Sequence, residues 1–281
     1  MSTKSKLLAR QRAWALQTGL RVADSGYLQK YEDNLFRPLS MKALSAFENG
    51  SGSELKPASS TRPAKMSALH SSSALAVNYF DYWSDTESSP LLAALGIDGT
   101  SSGIRFEAQY PTGLPGTPPN LDVAIALNGG NVVAIESKFT EWLTPKSPTL
   151  SPFKSKYFES PDQWSSKGLH SCQRLAEAMQ AGTEKFRHLD AAQLLKHALG
   201  LANNVPVKFD LLYLYFDCSG QESMTHGKEI ERFGSLVASD FPFKAICYQE
   251  AFAALRACTG MNDQDYTTYL QARYFPVLTG V

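Results

Sequence analysis

Asn120-Leu121-Asp122-Val123-Ala124-Ile125-Ala126-Leu127-Asn128-Gly129-Gly130-Asn131-Val132-Val133-Ala134-Ile135-Glu136-Ser137-Lys138-Phe139 is the stretch on which the reading of this chain turns. Two short apolar runs are joined by a glycine turn, as in a β-hairpin. One acid opens the first run, and an acid and a lysine close the second. Charges at the ends of apolar strands are expensive to bury unless they pair or bind a metal. The arrangement points to a divalent-metal site with a lysine beside it, chemistry suited to phosphodiester cleavage.

The parity of the hairpin carries the argument. Side chains alternate along a strand, so Asp122, Ala124 and Ala126 share one face and Val123, Ile125 and Leu127 the other. If the apolar faces of both strands coincide, Val123 pairs with Ile135 and Ile125 with Val133. Asp122 then lies across from Glu136, Lys138 shares their face, and Asn128-Gly129-Gly130 forms a three-residue loop. A two-residue Gly129-Gly130 turn would set Asp122 opposite Ser137 and split the acids between faces. The metal-site reading therefore requires the odd loop.

Working outward, residues 5–18 read as a helix with Leu7, Leu8, Trp14 and Leu16 on its apolar face, and 27–49 as helical with a break at Arg37-Pro38. The first 21 residues are basic and free of acids, which resembles a transit peptide but fits an N-terminal helix better. Gly50-Ser51-Gly52-Ser53 is a loop, and the polar stretch to about 70 reads as irregular. Ser71-Ser72-Ser73 caps a helix over Ala74–Trp83. Ile104–Tyr110 alternates as a strand with Glu107 on its polar side, and a Gly/Pro-rich loop leads into the hairpin. Residues 144–166 combine lysines (Lys146, Lys154, Lys156) with rings (Tyr157, Phe158, Trp164): a surface loop with packed anchors, or a loop offering charges to phosphates and rings to bases. Helices follow at 167–182 and 187–202, the second ending near Gly200. Lys208–Phe216 reads as a buried central strand, followed by a helix at 222–238, a strand at 243–248 and a helix at 249–258. The sum is an α/β layer fold with a mixed central sheet.

Hydrophobic content of 43% and charged content of 19% are those of a soluble globular protein, and no apolar run approaches membrane-spanning length. The four cysteines have no metal-type spacing, so neither zinc nor a disulfide framework is indicated, and a reducing cytoplasm is the expected compartment. The formal net charge is zero, yet acids prevail over residues 51–137, around the hairpin, while 1–50 and 138–210 are basic. That distribution fits a metal pocket flanked by phosphate-contacting surface.

The element order and the Asp122/Glu136/Lys138 set together resemble the PD-(D/E)XK phosphodiesterase superfamily, the fold of many restriction endonucleases. Its core is a helix, a three-stranded meander, helices and a further strand, here residues 70–216 of a single domain spanning 1–281, with residues 1–69 and 217–281 as extensions. More narrowly, Ser-Ser-Ala-Leu-Ala-Val-Asn (72–78), Pro-Asn-Leu-Asp-Val (119–123), Ile-Glu-Ser-Lys-Phe (135–139) and Gln-Leu-Leu-Lys-His (193–197) resemble a group of bacterial restriction-endonuclease-like proteins. One departure is that the proline before the first acid, Pro119, stands three residues away.

The resemblance implies a Mg²⁺-dependent endonuclease acting on double-stranded DNA, with Mn²⁺ as a substitute. Asp122, Glu136 and the Ser137 carbonyl would hold the metal, and Lys138 would orient or deprotonate the attacking water. Glu107, then Glu54, would be the additional acid. Gln193 and His197, at i and i+4 with Lys196 adjacent, would assist at the phosphate or else form a polar helix face over the sheet edge. His170 and His188 read as surface residues. A homodimer is expected if both strands are cut. RNA or branched DNA as substrate, and a catalytically silent nucleic-acid-binding protein on the same fold, are the competing readings.

Overall fold

The computed structural model describes residues 2–57, 59, 63–147, 151–206 and 208–276; parts of the predicted irregular stretch before 70 and of the 144–166 loop lie outside them. Helix α1 (Thr3–Gln17) is capped by Ser2, and α2 (Met41–Asn49) by Ser40, whose Oγ accepts from the Ala43 amide. Between them, the predicted helix from 27 is instead a 3-10 turn at Glu32–Asn34 and two isolated β-bridges, Val22 to Leu28 and Tyr27 to Ala68. Lys30 to Asn34 carries too few apolar residues at helical spacing to bury a helix face. Helix α3 (Ser72–Phe80) begins at Ser71, whose Oγ accepts from Ala74 N at 3.1 Å. Helix α4 (Ser89–Leu95) carries Pro90 in its first turn and ends at Gly96 with φ +60°, a pairing of start and stop residues that the sequence reading passed over.

Strands β1 (Ser101–Gln109), β2 (Asn120–Leu127) and β3 (Val132–Lys138) form an antiparallel meander. After α5 (His170–Gln180) and α6 (Ala191–Asn204), strand β4 (Phe209–Tyr215) pairs parallel to β3. Helix α7 (Gln221–Val237) crosses over to β5 (Phe243–Cys247), parallel to β4, and α8 (Tyr248–Cys258) and α9 (Gln264–Arg273) follow. The five strands lie in the order β1-β2-β3-β4-β5. The fold is α/β with a mixed sheet, as the sequence indicated.

Helices cover both faces. Ile104, Phe106, Val123, Ile125, Val133, Ile135 and Leu212 face one core with α3, α4, α8 and α9. Ala124, Ala134, Leu211 and Tyr213 face the other with α5, α6, α7 and the anchors Phe153, Tyr157 and Trp164. Those three rings are buried, so the described part of the 144–166 loop is pinned by its aromatics, while Lys146 and Lys154 are exposed. The N-terminal helix buries Leu7, Gln11, Trp14 and Ala15 and leaves Leu16 exposed. It is tied to the C-terminal end by Gln11 Nε2, which donates to Arg273 O at 3.0 Å. Among the described residues no helix is long and apolar enough to cross a membrane.

Gly200 does not end α6, which continues to Asn204. A Cβ there would stand 2.3 Å from the Tyr110 carbonyl oxygen. The glycine instead allows the helix to lie against the end of β1, and so fixes the height at which α6 presents its polar side chains to the sheet.

Candidate active site

The β2–β3 hairpin has the odd loop. Val123 pairs with Ile135, Ala124 with Ala134 and Ile125 with Val133, and the Leu127 amide donates to Asn131 O across Asn128-Gly129-Gly130. Gly129 and Gly130 have φ of +106° and +91°, which β-carbon-bearing residues rarely adopt. Continued by one residue, that register sets Asp122 across from Glu136. On the other side, β1 pairs Phe106 with Val123 and Ala108 with Leu121, so Glu107 stands opposite Asp122. Glu136 in turn is aligned with Tyr213 on β4. Three acids on three adjacent strands thus occupy one row of the sheet.

The row coincides with a break in strand regularity. Glu107 has φ +48°, a strained value for a residue with a β-carbon. Phe106 faces the first core whereas Ala108 lies against the second. The alternation that would return Ala108 to the side of Phe106 is lost at the acid between them.

Within the row, Asp122 Oδ2 accepts from the Ser137 amide at 2.7 Å. The N–H and C=O of one strand residue point to the same side, so the Ser137 carbonyl also faces β2, just past the last paired residues. The Ser137 hydroxyl points the other way and meets the buried Tyr248 hydroxyl of α8 at 2.7 Å. Glu136 is 1% exposed. Its Oε1 pairs with Lys138 Nζ, and its Oε2 is 2.9 Å from His197 Nε2. That contact is close but poorly aligned, and neither atom has a well-directed hydrogen-bond partner. Lys138 Nζ also donates to Gln193 Oε1 at 3.3 Å. Helix α6, started by Asp190 accepting from Gln193 N, therefore supplies Gln193 and His197 to the site from one face.

Electrostatics separate the two central acids. Burial raises the Asp122 carboxyl well above its ordinary value, and the neighbouring Glu136 charge adds to this against the opposing pull of Lys138 and the Ser137 amide. Burial would likewise raise Glu136, but Lys138 and His197 outweigh it and hold the carboxyl at about 2. Lys138 moves in the opposite sense to burial, well above the usual lysine value, because Glu136, Asp122 and Glu141 stabilise its charge. Lys138 and His197 thus favour the ionised form of Glu136, Glu136 and Asp122 favour the charged form of Lys138, and burial beside Glu136 disfavours ionisation of Asp122.

The supporting acids lie next to this group. Asn120 Nδ2 donates to Glu107 Oε2, and the Gly50–Gly52 loop covers the same carboxylate. A Cβ on Gly52 would lie 3.2 Å from Glu107 Oε2 and 3.3 Å from Glu54 Oε1. Glu54 also pairs with Lys65 at 3.4 Å. Burial is the main reason the Glu107 carboxyl is pushed up to about 7; Asn120 opposes this, and Glu54 and Glu136 reinforce it. Lys196, by contrast, leaves the site: its Nζ lies over the Phe153 and Tyr157 rings and donates to Pro152 O at 3.3 Å. His188 is buried, its Nδ1 2.7 Å from the Trp142 carbonyl oxygen, and is not the surface residue its sequence context suggested; His170 is exposed. Sequence reasoning passed over Asn120, which no pattern marks, and Tyr248, which comes from a helix over one hundred residues away. Among the described residues no three His, Cys, Asp or Glu side chains converge as a ready-made metal cage.

Residues 9–275 match the sequence model of a family described as restriction endonuclease associating with ARP. The chain belongs to that family. Its membership makes a nuclease the coarse functional class and a nucleic acid the class of substrate. No curated protein and no solved structure matches the chain.

The raised Glu107 carboxyl has a testable consequence. Between about pH 4.5 and 7 the folded protein keeps this proton while the unfolded chain releases it, so stability falls as pH rises through that window. In EDTA, Glu107→Gln should match the wild type at pH 4 and exceed it by up to about 3 kcal/mol at pH 8. Urea denaturation at the two pH values measures this, and equal gains at both would remove the titration as the cause.

Proposed function

We propose that this chain is a divalent-metal-dependent endonuclease of the PD-(D/E)XK type, a single nuclease-like domain spanning 1–281. Its substrate on this reading is double-stranded DNA in the cytoplasm of a bacterium, in restriction or a related defence role. The observation that carries the proposal is the row formed by Asp122 and Glu136, with Lys138 on the Glu136 carboxylate and a buried Glu136 Oε2 that lacks a well-aligned donor.

That orphaned oxygen fits a metal. Asp122, Glu136 and the Ser137 carbonyl offer the hard oxygen donors that Mg²⁺ takes, with Mn²⁺ as a substitute, and leave room for water and a phosphate oxygen. Mg²⁺ at these residues supplies neutralisation of the phosphate and a lowered water pKa. The chain's own groups do the rest. Lys138 Nζ, held by Glu136 and Gln193, is placed to orient the attacking water and to stabilise charge building on the phosphate. His197 and Gln193 extend that polar wall from α6, and Glu107 with Glu54 adds carboxyl oxygens on the far side of Asp122. Cleavage of both strands calls for two such sites, hence a homodimer on the DNA. The association with ARP named in the family description is part of the same proposal.

Calorimetry with Mg²⁺ and Mn²⁺, beside a cleavage screen on plasmid, linear duplex, single-stranded DNA and RNA, tests this reading. The expected result is metal binding weakened at least about tenfold by Glu136→Ala and metal-dependent cutting of the DNA duplex. Cutting confined to RNA would change the substrate. Neither binding nor cutting on any of the four would end the nuclease reading.

A further inference from the structure

Near the N-terminal turns of α6 lies a cavity of about 970 Å³ lined by residues of α5, of the loop to α6 and of α6 itself, by Glu229 of α7, and by Lys146, Ser147, Ser151 and Pro152. Four cations line it: Lys146, Lys185, Arg187 and Lys196. So do three acids, but each is already engaged. Asp190 caps α6 through one oxygen and pairs with Lys146 through the other. Glu184 pairs with Arg232. Glu229 accepts from the amides of Arg187, His188 and Leu189 with both of its oxygens. Among the described residues Lys185, Arg187 and Lys196 form no ion pair, and Lys185 and Arg187 are exposed.

Lys196 makes the imbalance acute. It is half-buried and set over two rings, and among the described residues its hydrogen bond goes to a carbonyl. Its ammonium is destabilised first by burial and, against the pull of Asp190, by Lys146, Lys154 and Lys156 around it. Cations gathered without counter-charges are stabilised when an anion binds among them. Lys196 also stands three residues from Gln193, whose side chain touches Lys138; positions three apart on a helix have Cβ atoms about 5–6 Å apart. The cavity and the cutting site are therefore neighbours on one helix.

We infer that this cation-lined cavity holds a backbone phosphate of the same nucleic-acid strand that is cut, close along the strand to the scissile phosphodiester. The inference rests on the nuclease reading for its choice of ligand and extends it to a second contact. Phosphate contacts of this kind position the substrate without reading its sequence, so the site sets register and affinity, not base preference.

Lys185→Glu/Arg187→Glu changes only exposed side chains and tests the site without disturbing the core. Lys196→Met, which keeps the packed stem and removes the charge, is the second variant. Binding of a labelled duplex of about 30 base pairs is measured in Ca²⁺ over a salt series. Each lost phosphate contact lowers the slope of log K against log salt by about 0.9. The double variant should bind at least about tenfold more weakly with a slope reduced by about 1 to 2, and Lys196→Met should lose about 1. Unchanged affinity and slope in both variants would overturn the inference even if the wild type cuts DNA. Binding of ADP that the variants abolish, with duplex binding intact, would also overturn it and assign the cavity to a free nucleotide. Charge-dependent duplex binding by a protein that cuts nothing would uphold this contact while the nuclease reading fell.

Discussion

Asp122→Asn should give a protein that no longer cuts yet is harder to unfold. The carboxyl sits raised well above its ordinary value by burial and by Glu136 across the strand pair, so in the metal-free protein it opposes folding at neutral pH. Asparagine keeps an oxygen to accept the Ser137 amide and has no ionised form for burial and Glu136 to disfavour. At pH 7.5 in EDTA the variant should gain about 1–2 kcal/mol, with Tm shifting by roughly 2–4 °C per kcal/mol for a chain of this size. The gain follows from linkage: a raised carboxyl pKa makes the folded state hold a proton that the unfolded state gives up, so the penalty grows as pH rises above the unfolded value near 4. At pH 4 the two proteins should melt together. Activity moves the other way. If Asp122 is one of two carboxylate metal ligands, as proposed, its loss removes several kcal/mol of transition-state stabilisation, about a thousandfold in rate. A variant that is inactive and less stable at pH 7.5 would mean that Asp122 is an ion-pair residue of the fold.

Lys138→Met should fail in both respects. Glu136 is buried with Lys138 as its principal counter-ion, and leaving a buried charge without its partner costs about 3–5 kcal/mol. Cutting should fall by about a hundred- to a thousandfold through loss of the positioned ammonium, while duplex binding in Ca²⁺ persists. The double variant Glu136→Gln/Lys138→Met separates the two losses. It should recover most of the stability, because the charge that lost its partner is gone, and none of the activity. Full stability in the single variant would show that Glu136 takes up a proton at little cost, and the ion pair would then have no part in holding the site.

The central hairpin was legible because its information is local. Val123, Ile125, Val133 and Ile135 can share a buried face in only one register, and that register fixes where Asp122, Glu136 and Lys138 point. Glu107 could be named but not placed. Its position opposite Asp122 depends on a register shift between Ser101 and Gly103 and on its own positive φ, neither of which leaves a pattern in the residues. Lys196 was grouped with Gln193 and His197 by sequence adjacency, yet it follows the apolar anchors Phe153 and Tyr157, whose burial is set by a distant loop. Helix α9 went unread for a related reason: Gln264–Arg273 is mostly polar, and its Arg273 is wholly buried among Trp14, Tyr274 and the carbonyl of Asn34. Partners brought together by tertiary packing override what a short window can display.

The three-residue turn at Asn128-Gly129-Gly130 also constrains how this chain can diverge. Because a strand repeats every second residue, a single deletion or insertion in the turn would swing Glu136 and Lys138 to the face occupied by α3 and bring Ile135 out of it. Changes by two residues keep the acids together. Among descendants of this sequence that retain the site, the length of the turn is therefore free to drift only in even steps, so its parity is a heritable mark of the site.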